Sequence, residues 1–336
     1  MLKRTNVLAL VGCGQNSTFS LDKLIIWDDH RSKIFSELRF FSPILKVKLK
    51  MEKIFVSTKD NQLYVFNLSN LEIINIFQTF ENKKGLFAIS SDEKALVIAF
   101  PYKHAGYIKL KNYNSPLNVP AINAHDNMIA FIALNHEGTL LATSSEKGTL
   151  IRIFSTFNGE LIQELRRGAK IADIYHITFD LNSKFIACTS SSRTIHIFST
   201  YVSIKYLKEK GLISTKNINR NRNSDLDINI NINNNNDQIE APKNQKGFLG
   251  SIIRVLKIGI SYFESEWSFA QFRVPRSEKE MIVSFGLNIH SIFVLTKSGK
   301  LYQASFDPNL GGECQKVYGK ELLKKDDNEK TDDNKI

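Results

Sequence analysis

Short apolar runs recur along most of the chain, each about five residues long and separated from the next by Gly, Asn, Asp or Ser. Val, Ile, Phe and Tyr predominate within the runs, and these residue types suit a pleated, half-buried strand. Segments with the 3.6-residue period of an amphipathic helix are scarce. The pattern therefore predicts an all-β meander of hairpins.

The runs also repeat at a fixed interval. Four of them begin at Leu63, Tyr107, Ile151 and Ile195, so that three successive intervals are each 44 residues long. A period in the forties with several strands per repeat is typical of β-propeller blades. Residues 130–165 contain four such runs with glycines at the turns, which predicts one complete four-stranded blade.

The next repeat is interrupted. Residues 174–198 hold three predicted strands, the fourth is missing, and the pattern resumes only after Glu280. In between, the chain from Tyr201 to about Lys246 is basic and then Asn-rich, and it has too little apolar surface to fold. We expect this part to be a disordered insertion in a loop.

An amphipathic segment, residues 247–263, follows the Asn-rich tract. On a helical wheel most of its apolar residues fall within one half, so a helix here can lie in a membrane interface. The alternative is an ordinary strand or core helix, because Ile and Val are numerous and glycines weaken helicity. The predicted membrane-inserting residues are Phe248, Leu249, Ile252, Ile253, Leu256, Ile260 and Phe263.

Two adjacent arginines, Arg166 and Arg167, end a strand-like run and precede Gly168. Successive strand residues point to opposite faces, so the two side chains should serve two different sites. Gly168 would let the backbone turn away without a Cβ clash and leave both guanidinium groups presented at an edge. Arginine suits bidentate recognition of phosphate. The alternative is a solvated basic turn.

Composition and charge narrow the function classes. The 336 residues carry a formal charge of +11 and a pI near 9.4, which favours anionic partners such as an acidic membrane surface or nucleic acid. No basic stripe interleaved with aromatic residues supports nucleic-acid binding. No nucleophile and base constellation, phosphate loop or metal-ligand spacing is evident, so we predict neither an enzyme, a cofactor nor a metal site.

The cysteines and the apolar runs indicate the cellular compartment of the protein and its mode of membrane contact. Cys13, Cys188 and Cys314 are far apart and odd in number, which predicts neither a disulfide framework nor a metal site, and favours a reducing intracellular compartment. The N-terminal apolar run is shorter than that of a signal peptide. No run approaches the roughly 18 apolar residues of a membrane span, so membrane contact should be peripheral.

The chain resembles the PROPPIN family, the phosphoinositide-binding WD-repeat β-propellers of autophagy. The resemblance rests on the motif 165–168, on residues 124–126 and 141–154, and on residues 265–270 after the insertion. It implies an all-β propeller of four-stranded blades over residues 1–319, with the insertion at 201–263 and a disordered charged tail at 320–336.

Family members have seven blades and usually begin with a blade that this sequence lacks. Here the first predicted strands are Val7 to Gly12, Leu24 to Trp27 and Ile34 to Phe40, which match the last three strands of the following blade. The resemblance therefore predicts that the N-terminal blade is missing, through either a truncated sequence or an incomplete ring.

The resemblance implies two headgroup pockets for phosphatidylinositol 3-phosphate and phosphatidylinositol 3,5-bisphosphate. Taken singly, the Ser and Thr residues are typical of turns, and His196 could equally be a solvent-facing or core residue. The first predicted pocket comprises Arg152, Arg166, Ser144, Ser145 and Thr149, and the second predicted pocket comprises Arg167, Ser190, Ser191, Thr194 and His196.

The implied function is that of a phosphoinositide effector recruited from the cytoplasm to autophagic or endosomal and vacuolar membranes. Proteins of the autophagy machinery are expected partners. Members that bind the lipid-transfer protein of autophagy carry a Pro-Arg pair where this chain has Leu21 and Asp22, which argues against that partner. The alternative is a generic WD-repeat scaffold, supported weakly by Trp27-Asp28.

Overall fold

The computed structural model describes residues 5–12, 19–50, 52–116, 118–200, 244, 265–278, 280–287 and 290–322. All regular elements among them are strands, and the all-β prediction is confirmed. The predicted Asn-rich tract, the amphipathic segment 247–263 with its membrane-inserting residues, and residues 323–336 of the predicted tail lie outside the described residues. Within the described part, no helix is long and apolar enough to cross a bilayer.

The chain divides into two compact units. The first is Met1–Glu146, Arg152–Ile162 and Lys208–Ser214, and the second is Lys147–Ile151, Gln163–Leu207 and Thr215–Ile336. The boundary passes through β14 (Leu150–Ser155) and β15 (Leu161–Arg166).

The first unit begins with three sheets whose neighbouring strands are antiparallel and follow the order of the chain. The first has three strands, as the sequence predicts. The strands are β1 (Val7–Val11), β2 (Lys23–Asp28) and β3 (Lys33–Arg39); β4 (Ile44–Lys50), β5 (Lys53–Thr58), β6 (Gln62–Asn67) and β7 (Ile73–Gln78); β8 (Ala88–Ile89), β9 (Val97–Pro101), β10 (Tyr107–Asn112) and β11 (Ile122–Asn123); then β12 (Ile129–Leu134) and β13 (Leu140–Ser145).

Both faces of β5 are buried, which explains its dense apolar run. In β5, Ile54 and Val56 belong to one apolar cluster, whereas Phe55 between them belongs to another with Phe87. Alternate side chains of a strand point to opposite faces, so one strand supplies two separate cores.

The second unit contains two sheets of its own and also β19, which pairs with β15. Their orders are β16-β17-β18-β20-β24 and β21-β22-β23-β25. The strands are β16 (Ile174–Phe179), β17 (Phe185–Ser190), β18 (Thr194–Ser199), β19 (Glu266–Trp267), β20 (Ala270–Arg273), β21 (Met281–Phe285), β22 (Ser291–Thr296), β23 (Lys300–Ser305), β24 (Gly312–Glu313) and β25 (Gln315–Glu321).

The missing fourth strand of the interrupted blade is β20. It pairs antiparallel with β18, so that Thr194 lies opposite Arg273 and His196 opposite Gln271. The chain therefore returns to its own sheet after the insertion. Two short parallel strands extend the pairing, β19 along β15 and β24 along β20.

Two predicted boundaries are wrong. The final strand, predicted to end at Tyr318, continues to Glu321 because the pairing with β23 extends to Lys300 opposite Glu321, beyond the predicted start of the tail. The disordered insertion was expected to run to about Lys246, yet Asn244 is buried, with 3% of its surface exposed.

Asn244 is hydrogen-bonded to the last residue of β18. Its Oδ1 accepts a hydrogen bond from the Ser199 backbone N–H at 2.6 Å, and its Nδ2 donates to the Ser199 carbonyl at 2.7 Å. The same amide donates to Glu266 Oε2 at 2.9 Å, which also accepts from Gln163. One side chain thus replaces the ladder hydrogen bonds at the end of β18.

We expect Asn244→Ala to lower the free energy of unfolding by about 1–3 kcal/mol, because it leaves buried main-chain groups of Ser199 unpaired. Urea denaturation monitored by tryptophan fluorescence measures the change. The matched control is Asn70→Ala, which removes an exposed amide and should change stability little. Equal stability of both variants would show that Asn244 contributes nothing.

Candidate functional site

The two arginines of the motif are both buried, with 5% and 4% of their surfaces exposed. Arg166 Nε donates to Ser265 Oγ at 2.7 Å. Arg167 Nε donates to the Gly148 carbonyl at 2.7 Å, and its Nη2 donates to the Lys170 carbonyl. The hypothesis of a solvated basic turn is therefore wrong. The arginines have different partners, as the alternation of strand side chains predicts.

The glycine that this arrangement requires is Gly148. Its φ is +58°, and a Cβ there would lie 1.9 Å from the Ala172 carbonyl oxygen. Gly168, expected to be the essential one, has no positive φ, and a Cβ on it would meet nothing within 4 Å. The steric role assigned to Gly168 is thus wrong. The backbone of Gly148 can approach Ala172 and accept from Arg167 only without a side chain.

His196 lies on β18 with 8% of its surface exposed. Burial, and then the positive charges of Arg167 and Arg273, lower the pKa of His196 to about 4, so the imidazole is neutral at pH 7. Its Nδ1 is 3.2 Å from Ser268 Oγ, which accepts a hydrogen bond from Gln271 Nε2 at 2.7 Å. Ser268 then has its own proton to donate to Nδ1. When Ser268 donates this proton to Nδ1, the neutral imidazole carries its own proton on Nε2 and can donate it to an anion.

The hydroxyls of the second predicted pocket lie at one end of the β17–β18 hairpin. Ser190 Oγ is 2.8 Å from Ser192 Oγ, and Ser191 Oγ accepts from the Asp173 backbone N–H at 3.1 Å. Ser191 therefore performs the turn role that its residue type suggests. Thr194 begins β18, directly beside the turn.

Arg273 and Gln271 were missed from the sequence. Both lie on β20, opposite Thr194 and His196, and both line a cleft of about 240 Å³ together with Phe269, Gly312 and Glu313. The insertion separates β20 from β18 along the chain, so no local pattern connects them. The motif at 265–270, which leads into β20, was the available signal.

Arg167 in the second predicted pocket has main-chain carbonyls and no described carboxylate as hydrogen-bond partners, whereas Arg273 shares its cleft with Glu313. Burial lowers the pKa of Arg167, and the Cys188 thiol has a smaller effect that raises it. Burial raises the pKa of Cys188 itself to about 12, so this thiol is neutral at pH 7. Among the described residues, no carboxylate affects the pKa of Arg167 or His196. Main-chain carbonyls satisfy hydrogen bonds of Arg167 without cancelling its charge, so the group remains attractive to an anion.

The residues of the first predicted pocket divide between the units. Ser144, Ser145 and Arg152 belong to the first unit, and Thr149 and Arg166 to the second. The Thr149 carbonyl accepts from the Arg167 backbone N–H at 2.9 Å. Ser144 Oγ is buried, and no described residue hydrogen-bonds to it.

A buried histidine accompanies Arg152 in the first unit. Arg152 Nη1 donates to the Ala124 carbonyl at 2.7 Å, and His125 Nε2 lies 3.0 Å from Thr143 Oγ1. Burial, and then the charge of Arg152, lower the pKa of His125 to about 4. His125 was noted in the motif 124–126 but was not predicted as a site residue.

Comparison with known proteins identifies the family. Residues 24–210 match the family model described as PROPPIN. The chain belongs to the PROPPIN family. Autophagy-related protein 18e of Arabidopsis thaliana is a PROPPIN relative, 33% identical over 95% of this chain and 75% of its own length. Autophagy-related protein 18 of Yarrowia lipolytica is 26% identical over 96% of this chain and 86% of its own length.

Solved structures confirm the predicted β-propeller fold class of this PROPPIN. Kluyveromyces lactis Hsv2 has a TM-score of 0.65 at 20% identity, covering 96% of this chain and 85% of its own. KlAtg21, solved in complex with the coiled coil of AgAtg16, has a TM-score of 0.68 at 21% identity, covering 96% and 84%. The missing N-terminal blade stays a prediction.

No metal site is evident in the part of the chain that the structure describes. None of its His, Cys, Asp and Glu residues form a group of three or more that could hold an ion. Cys188 and Cys314 are buried free thiols, and Cys13 lies outside the described residues.

We expect Gly148→Ala to destabilise the protein by about 1–3 kcal/mol or more, because the residue would be strained at positive φ and its Cβ would collide with Ala172. Gly168→Ala is the matched control and should be close to neutral. Thermal and urea unfolding of both variants measure the difference. A larger loss of stability for Gly168→Ala than for Gly148→Ala would support the steric role first expected of Gly168.

We also expect His196 to titrate near pH 4 in the folded protein, against an ordinary value of 6.5. Between these values the unfolded chain binds a proton that the folded chain does not, so stability should fall as the pH falls from 6.5 to 4. Histidine NMR titration, assigned with His196→Gln, measures this pKa. A value near 6.5 would contradict the burial and the cationic surroundings described above.

Proposed function

We propose that this PROPPIN is a phosphoinositide effector that binds phosphatidylinositol 3-phosphate and phosphatidylinositol 3,5-bisphosphate through two headgroup pockets. It is recruited peripherally to membranes in autophagy or related organelle trafficking. Its role is binding and not catalysis.

The observation that carries the proposal is the buried charge of Arg167, which no described carboxylate pairs with. Arg167 and Arg273 both lower the pKa of His196, and no carboxylate of the described residues shifts the pKa of His196 or Arg167. A phosphate monoester would supply the missing negative charge, with arginine as the bidentate donor and neutral His196 as a single donor. Ser190 and Thr194 supply hydroxyls for the ring substituents.

The first predicted pocket contains a buried hydroxyl and two anchored arginines. Ser144 Oγ is buried without a hydrogen-bond partner among the described residues, which suits a hydroxyl held ready for a ligand. Arg152 and Arg166 are both anchored, to Ala124 and Ser265 respectively. Anchored guanidinium groups lose less freedom when a headgroup binds.

The inserted segment adds a third contact with the membrane. Residues 247–263 lie between Asn244, which is bound to β18, and Ser265, which accepts from Arg166. Asn244 and Ser265, which flank this segment in the sequence, are thus bound to β18 and to Arg166. Two weak pockets and an inserting segment on one protein act together, and avidity of about 10² to 10⁴ over either contact follows.

The relatives suggest the pathway and the kind of partner. Two curated relatives are autophagy-related proteins by name, and the structural relative KlAtg21 was solved with a coiled coil. We therefore include proteins of the autophagy machinery among the partners of this chain.

Liposome co-sedimentation at physiological salt tests the proposal. Vesicles containing phosphatidylinositol 3-phosphate or the 3,5-bisphosphate should pellet the native chain, whereas vesicles with unphosphorylated phosphatidylinositol should not. Arg166→Ala/Arg167→Ala should abolish pelleting because each pocket loses its central cation. Ile252→Asp/Leu256→Asp should also weaken pelleting while leaving binding of a soluble short-chain phosphoinositide unchanged.

The charge-matched control is Arg31→Ala/Arg39→Ala, which removes two arginines with 66% and 79% exposed side chains. It should pellet like the native chain. Equal loss in both double variants would mean that net charge alone drives binding. If the folded native chain pellets equally with all vesicles or with none, the scaffold hypothesis is favoured instead.

A further inference from the structure

Three lysines occupy alternate positions of β4, a strand of the first unit. Lys46, Lys48 and Lys50 share one face, while Val47 and Leu49 on the other face pack against an apolar cluster. A strand with lysine at every second position beside a buried sheet is costly unless each charge is satisfied.

Lys50 is satisfied. It is buried, and its Nζ donates to the Ser90 carbonyl, to Ser90 Oγ at 3.2 Å and to the Ala95 carbonyl at 2.5 Å. Its role is to connect β4 with the neighbouring sheet.

Lys46 and Lys48 are held differently. Their Nζ atoms lie 5.4 and 5.7 Å from the centroid of the Phe87 ring, a buried residue of the apolar cluster around Phe55. Burial lowers the pKa of Lys46, and burial together with the charge of Lys46 lowers the pKa of Lys48 to about 8. No carboxylate of the described residues pairs with either ammonium group or affects its pKa.

Packing alone does not explain these two charges. A methionine at either position could cover Phe87 with a similar stem and would leave no half-buried cation. Two ammonium groups beside one aromatic ring repel each other, and a ligand carrying several negative charges would remove both the repulsion and the desolvation cost. An ammonium group offers three donors in any direction, which suits phosphate oxygens.

We propose that Lys46 and Lys48, beside Phe87, form a binding site for a multivalent phosphate anion. It shares no residue with either headgroup pocket. The ligand is a compound with at least two phosphate charges close together, such as a polyphosphate or a polyphosphorylated sugar, and a lipid headgroup has the same chemistry.

Isothermal titration calorimetry with sodium tripolyphosphate, at pH 7 and constant ionic strength, tests this site. Lys46→Met/Lys48→Met should lose one class of binding sites or weaken it about tenfold or more, the usual result of removing charged donors. Lys103→Met/Lys111→Met is the matched control, since it also removes two ammonium groups that lie 5.4 and 5.8 Å from tyrosine rings, but at exposed positions. Identical titrations for the two variants would overturn the proposal.

A second measurement uses the native chain and does not depend on how the variants fold. Tripolyphosphate should shift the NMR signals of the Lys48 Cε methylene group and raise the pKa of Lys48, because the bound anion favours the charged amine. Unchanged signals at saturating tripolyphosphate would exclude the site.

A vesicle experiment distinguishes a lipid headgroup from a free polyphosphate as the ligand of this site. Lys46→Met/Lys48→Met should pellet with phosphatidylinositol 3-phosphate vesicles as the native chain does, while one class of tripolyphosphate sites is lost or weakened. Loss of tripolyphosphate binding together with vesicle binding would overturn the proposal of a separate site and assign these lysines to lipid recognition.

Discussion

The candidate site in the second unit depends on hydrogen bonds from Arg167 to the carbonyls of Gly148 and Lys170. A buried guanidinium needs acceptors, and carboxylates would have neutralised it. Main-chain carbonyls supply the acceptors and leave most of the charge available. The arrangement in turn depends on a glycine at positive φ, because only a residue without Cβ can approach Ala172 so closely. The backbone conformation at Gly148 thus determines where the guanidinium group of Arg167 can be buried.

Lysine and arginine illustrate two ways of holding a buried cation in this chain. Lys50 and Arg167 both donate to main-chain carbonyls, and their positions are therefore fixed by the sheets themselves. Lys46 and Lys48 rely on an aromatic ring, which attracts a cation by about 0.5–2 kcal/mol but accepts no strong hydrogen bond. Hydrogen bonds to carbonyls suit a structural role or a rigid binding group. Contact with an aromatic ring leaves the ammonium donors available for a ligand.

Much of the fold followed from local pattern. The 44-residue period and the glycine-punctuated runs predicted the hairpins, since hairpin strands are neighbours in the chain as well as in the sheet. The different partners of Arg166 and Arg167 also followed, because alternation is a property of every strand. Predicted site residues such as His196 lie within these locally predicted strands.

What could not be predicted involves pairing across long separations. Arg273 and Asn244 acquire their positions from β18, and the insertion hides that relationship from any window of sequence. The wrong assignment at Gly168 has a different origin. The presence of a glycine shows that an unusual backbone conformation is permitted at that position, but not that the fold adopts one there. The collision at Gly148 comes from Ala172, a contact that no spacing rule provides.

The anchoring of Asn244 bears on how this chain could tolerate an Asn-rich tract at all. Because Ser199 and Asn244 are joined by direct hydrogen bonds, the chain between them closes a loop whose ends are already fixed. The entropy of closing a flexible loop grows only slowly, by about 0.6 kcal/mol for each doubling of length. A change in the length of the tract is therefore expected to alter the free energy of folding by only a fraction of a kcal/mol.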